Sequence, residues 1–114
     1  MMTKERSEKL IKARIQNASS PVKSSEIEKD FMIPGATVRA CIRDLRRSGI
    51  LITGDDEGYH MVQDYEEYKH LRASLRSRCL SMFKTIQQMD LEAVKQFKKS
   101  EAPILELTML ESEV

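Results

Sequence analysis

The sequence is poor in the residues that build special chemistry. It has only two cysteines, Cys41 and Cys79, far apart and outside any CxxC spacing. That excludes a disulfide framework and fits two free, packed thiols in a reducing cytosol. With His60 and His70 the only histidines, no clustered ligand set for a structural metal exists, and no metal is expected. Four glycines and three prolines exclude collagen-like and low-complexity chains. No apolar run approaches the roughly 20 residues that span a bilayer, and the polar, mixed-charge N-terminus lacks a signal-peptide pattern, so no membrane partner is expected. There is no Gly-rich phosphate loop, and neither histidine has a matching Ser or Cys nucleophile. These absences point to a non-enzymatic, cytoplasmic protein without a cofactor.

What is present is a strongly segregated charge on 114 residues, a length that suits one domain or one domain plus an appended helix. Residues 1–50 carry 11 Lys/Arg against 6 Asp/Glu, and residues 51–68 carry 6 acids and no Lys or Arg. Residues 69–99 carry 8 bases against 2 acids, and residues 100–114 carry 4 acids and no base. The net charge of +1 therefore conceals faces of opposite sign, and a basic face binds a polyanion even on a neutral chain.

Periodicity predicts a first helix from about Lys4 to Ala18, with Leu10, Ile11, Ile15 and Ala18 inward. Pro21 ends that region, and Val22–Lys23 reads as a short extended piece. A second helix is expected from Ser24 or Ser25, with Ser25 and Glu28 forming a capping box and Ile27 and Phe31 facing in. It stops near Met32, because Ile33 precedes Pro34 and prefers extended geometry. A third helix from Pro34–Gly35 to about Ser48 buries Val38, Cys41, Ile42 and Leu45, with Gly49 as its cap. Ile50–Thr53 and Tyr59–Val62 flank a five-residue polar loop, Gly54–Gly58, which is a hairpin signal. A long helix is expected from Tyr65 to Lys99. Its apolar positions Tyr68, Leu71, Leu75, Cys79, Met82, Ile86, Met89, Ala93 and Phe97 approach a heptad seam. The expected organisation is thus a mainly α fold with a small β-hairpin over residues 1–64, a long C-terminal helix over 65–99, and a flexible acidic-apolar tail over 100–114.

The run from Val22 to Gly49, continuing into Ile50–Ile52 and Gly58–Met61, resembles the winged helix-turn-helix proteins common in bacteriophages and prophages. The resemblance is carried by the phrase Val38-Arg39-x-x-Ile42-Arg43-x-Leu45-Arg46-x-x-Gly49, by Gly58-Tyr59, and by Leu71-Arg72 with Leu75-Arg76-Ser77-Arg78 on the long helix. It covers about residues 5–90 and implies a winged helix-turn-helix followed by a long helix. The sequence departs from the pattern at two places. Pro34 stands where Ser or Thr often caps the recognition helix, and Met32 stands where the tight turn often has Gly.

In such a fold the third helix enters the major groove, its N-terminal half nearest the base edges. Thr37, Arg39, Ala40 and Arg43 then face bases, with Ala36 and Ala40 allowing close approach, and Arg46 and Arg47 meet phosphates. Lys69, Arg72 and Arg76, at helical spacing, extend the phosphate surface or pair with Glu66 and Glu67. The wing acids Asp55, Asp56 and Glu57 would be repelled by phosphate, so the wing stands away from DNA or meets a protein partner. Beyond Leu75 the seam outruns the winged domain, and Leu75, Cys79, Met82, Ile86 and Met89 are expected to form a homodimer interface, with an intrachain fold-back as the alternative. The tail from Ile104 to Val114 reads as a docking peptide or a disordered end. The function expected is non-catalytic binding of double-stranded DNA, as a transcriptional regulator or replication accessory factor of a phage or mobile element. The alternative is a winged-helix adaptor or inhibitor of a host or phage protein, and a terminase or replisome subunit is a third reading. No region is left over to form a small-molecule pocket.

Overall fold

The computed structural model describes residues 3–98. The tail assigned to residues 100–114 lies outside them. The chain divides between Lys69 and His70 into two compact units.

The first unit opens with α1 (Lys4–Gln16). The hydroxyl of Thr3 accepts a hydrogen bond from Arg6 N at 3.2 Å, satisfying one of the orphan donors of the first turn. Ile11 and Ile15 are buried, and Ser7 joins them on the inner face. α2 (Ser24–Phe31) starts two residues earlier than a Ser25 cap requires. The capping box does not form. Lys23 occupies the cap with no side-chain bond, and Ser24 Oγ donates to Glu28 Oε2 at 3.1 Å instead. The reason lies upstream. Val22 is held as an extended rung by Tyr59, through Val22 N to Tyr59 O at 2.9 Å and Tyr59 N to Val22 O at 2.8 Å, which leaves the chain ready to turn helical at Ser24.

α2 ends at Met32, which adopts the left-handed conformation with φ 54° and ψ 49°. This is the turn position where glycine was expected, and a non-glycine residue there costs about 1–2 kcal/mol. α3 (Gly35–Arg47) follows immediately, with Pro34 at its cap and Val38, Cys41, Ile42 and Leu45 buried as the spacing implies. Its end is a Schellman motif. Gly49 N donates to Arg46 O at 2.9 Å and Ile50 N to Leu45 O at 3.0 Å, with Gly49 at φ 90°.

β1 (Ile52–Asp55) and β2 (Gly58–Met61) pair antiparallel, Ile52 opposite Met61 and Asp55 opposite Gly58. The expected five-residue loop is a two-residue turn, because Gly54 and Asp55 pair with Tyr59 and Gly58, leaving only Asp56 and Glu57 to reverse the chain. Asp55 Oδ1 accepts from Glu57 N at 2.8 Å and closes it. Gly58 is dictated by crowding, since a Cβ there would lie 2.5 Å from the carbonyl carbon of Val22. The core gathers Ile11, Ile15, Val22, Ile27, Val38, Cys41, Ile42, Leu45 and Ile52, with Phe31, Ile33, Tyr59 and Met61 packed against it.

α4 (Tyr65–Phe97) begins in the first unit and forms the described part of the second. Its start is capped by Asp64, whose Oδ1 accepts from Glu67 N at 2.8 Å, while Glu67 Oε1 accepts from Gln63 N at 2.9 Å. Leu71 is buried, whereas Leu75, Met82, Ile86, Met89 and Phe97 are exposed. Cys79 is exposed too, so only Cys41 is a packed thiol. Among the described residues no helix is long and apolar enough to cross a membrane.

Candidate DNA-binding surface

The outward face of α3 follows from its buried stripe. With Val38, Cys41, Ile42 and Leu45 turned in, Arg39, Arg43 and Arg47 are turned out and exposed, and Thr37 and Ala40 lie half-buried at the margin. Arg46 differs from the other three. It is half-buried, and its Nε donates to the carbonyl of Ile52 at 2.8 Å, tying the C-terminal turn of α3 to β1.

Asp44 is the acid within α3, and it is held by cations. Lys4 Nζ lies 2.7 Å from its Oδ2, and Arg43 Nε and Arg47 Nη1 lie 3.2 and 3.9 Å from its Oδ1. The hydrogen bonds from Lys4 and then Arg43 hold the Asp44 carboxyl below its ordinary range, and the same bond raises the Lys4 ammonium. Three cations around one carboxylate leave this end of the face positive. Lys4 was not among the residues singled out by sequence, because nothing local in its helix signals that it sits beside α3. At the other end a carboxylate stands close. A Cβ added to Gly35 would meet Glu28 Oε1 at 3.1 Å and Arg39 Nη1 at 3.3 Å.

The wing has the opposite sign. Asp55, Asp56 and Glu57 are all exposed at the hairpin tip. At its base, His60 Nε2 and Glu67 Oε2 are 2.9 Å apart, which latches β2 to the first turn of α4. That bond and the backbone N–H of Gln63 depress the Glu67 carboxyl. His60 and Glu67 are therefore structural partners, a pairing seven residues apart that helical or strand periodicity does not reveal. Lys69 is engaged by Glu66 at 3.2 Å and lies 5.8 Å over the ring of Tyr65. Arg72 and Arg76 belong to the second unit, Arg72 exposed and Arg76 half-buried.

An open cleft of about 460 Å³ lies beside the latch, lined by Leu51, Val62, Gln63, Asp64, Tyr65 and Tyr68. No pocket is expected from the sequence. This one arises where the short link after β2 turns into α4 and leaves Leu51 and Tyr65 exposed, a tertiary feature with no periodic signature.

No protein-family model matches the chain, and no curated protein matches it. Among solved structures it is similar to the crystal structure of ScpB from Mycobacterium tuberculosis, with a TM-score of 0.50 and 15% identity over 98% of this chain and 81% of that one. The fold is a winged helix. At this identity the likeness concerns the path of the backbone, and what the surfaces do depends on their own residues.

Proposed function

We propose that the chain is a non-catalytic, double-stranded-DNA-binding protein that presents α3 to the major groove. The observation that carries this reading is the solvent-facing row Arg39, Arg43 and Arg47 on a helix whose own acid is already held by Lys4 and two of its arginines. In this reading Arg39 and Arg43, with Thr37 and Ala40, address base edges, and Arg47 meets phosphate. Arg46 serves chiefly to hold the wing strand, with any phosphate contact secondary. Lys69, Arg72 and Arg76 extend the backbone contacts. A second copy, joined through the α4 seam of Leu75, Cys79, Met82, Ile86 and Met89, supplies a second α3. The biological setting that fits is a phage or mobile-element regulator or replication accessory factor acting in the cytoplasm of its host.

The test is binding to random-sequence duplex DNA across a salt series, beside the Arg39→Ala/Arg43→Ala variant. The wild type should bind with a steep inverse salt dependence, and the variant should lose about 10- to 100-fold in affinity. Absence of binding at low salt, or equal binding by the two proteins, would overturn the reading. The exposed acidic wing tip and the apolar cleft favour a second reading, a docking module for a basic protein surface, which then takes its place.

A further inference from the structure

The heptad register on α4 is strict from Leu75 to Ala93, with Cys79, Ile86 and Ala93 at one core position and Leu75, Met82 and Met89 at the other. These side chains are exposed along α4. The proposed dimer leaves open how two such helices meet, and the charges flanking the seam discriminate between the possibilities. Arg76, Phe83 and Asp90 run along one edge, and Arg78, Thr85 and Glu92 along the other.

In a parallel pair, residues of one edge meet the opposite edge of the partner about five positions on. Arg78 would face Phe83 and Thr85 would face Asp90, so no opposite charges meet. The basic stretch containing Arg76, Arg78 and Lys84 would also lie alongside its own copy. In an antiparallel pair each edge meets its own copy reversed. One register seats Ile86 on Met82, Met89 on Cys79 and Ala93 on Leu75, so that every core layer is apolar. That register brings Arg78 opposite Glu92 and Arg76 opposite Asp90, each twice by symmetry, with Phe83 packing on its own copy at the centre. Shifting the antiparallel register by one heptad toward the N-terminus replaces these ion pairs with Arg78 against Thr85 and Arg76 against Phe83.

From this charge pattern we propose that α4 is an antiparallel self-association surface in which Arg78 pairs with Glu92 of the second copy, centred close to Lys84. The proposal rests on the dimer reading and specifies its geometry. It places the two α4 N-termini at opposite ends of the coil, where a parallel pair would set them side by side.

The distinction is readable with the native thiol. In the antiparallel register, Cys79 and its copy are offset by about 15 Å along the axis, beyond the ~7 Å between Cα atoms that a disulfide spans. In a parallel pair the two lie level. Cys41 is buried and does not compete. Treated with copper-phenanthroline and run on a non-reducing gel, the full-length wild type should stay uncrosslinked, whereas Met89→Cys should form a covalent dimer with native Cys79. In parallel, Arg78→Glu and Glu92→Arg should each weaken self-association by about tenfold in sedimentation equilibrium, and the double variant should recover it. If the wild type crosslinks through Cys79, or the double variant fails to recover, the antiparallel register is wrong while the dimer stands. If the wild type sediments as a monomer, with the seam covered within its own chain, both fall.

Discussion

α3 and α4 obey the same amphipathic rule and end in opposite circumstances. The stripe of α3, Val38, Cys41, Ile42 and Leu45, is covered by α1, α2 and the hairpin strands, whereas the stripe of α4 from Leu75 to Met89 faces solvent. Burial in the first case leaves the opposite face of the helix free to carry arginines. Exposure in the second leaves the apolar face open to a partner, which is where the proposed self-association places it. Periodicity thus says which residues share a face. Whether that face is core or interface depends on what packs against it.

Truncating one isoleucine on each helix face should separate core from interface. Ile27→Ala, at a fully buried position beneath α3, should cost about 2–5 kcal/mol and lower the thermal midpoint strongly. Ile86→Ala should leave the midpoint of the monomer nearly unchanged and lower self-association alone. A midpoint loss at Ile86 comparable with that at Ile27, measured by circular dichroism at a concentration below association, would show that α4 belongs to a single core.

A smaller effect is expected at the turn between α2 and α3. Met32 is left-handed and 90% exposed, so its side chain contributes little packing while its backbone carries the conformational penalty. Met32→Gly removes that penalty at the expense of unfolded-chain entropy, and the net gain should be up to about 1 kcal/mol, read as a higher denaturant midpoint. A loss of stability would mean that the methionine side chain holds the turn.

The smallest effect concerns pH. Asp44 and Glu67 both have carboxyls held below their ordinary values of 3.8 and 4.5. A depressed folded-state value means the unfolded chain binds protons first as pH falls. Their stabilisation is therefore complete above about pH 5 and drains away at lower pH, as each group takes up its proton in the fold. Glu67→Gln should flatten the acid limb of the stability profile, and an unchanged limb would remove the His60 latch from the account.

Much of this architecture was legible because it rests on local signals. The stripe of α3, the glycine after it and the hairpin-flanking apolar runs announced themselves, and so did the anomaly at Met32, which the structure resolves as a left-handed residue. The cap of α2 has no local signature, because Tyr59, far along the chain, fixes Val22. The wing turn is shorter than its composition suggests, because Gly54 and Asp55, residues typical of turns, complete the ladder here. At the candidate site, the arginines followed from helical spacing. The capture of Asp44 by Lys4, the anchoring of Arg46 on Ile52 and the His60–Glu67 latch did not, since each joins residues on different elements.

Titrating short duplex DNA into the isotope-labelled protein and following its backbone amide resonances distinguishes α3 from the wing as the nucleic-acid surface. Amides from Ala36 to Arg43 should shift progressively while those of Asp55, Asp56 and Glu57 stay in place. Shifts confined to the wing, or none at all at low salt, would contradict that role for α3.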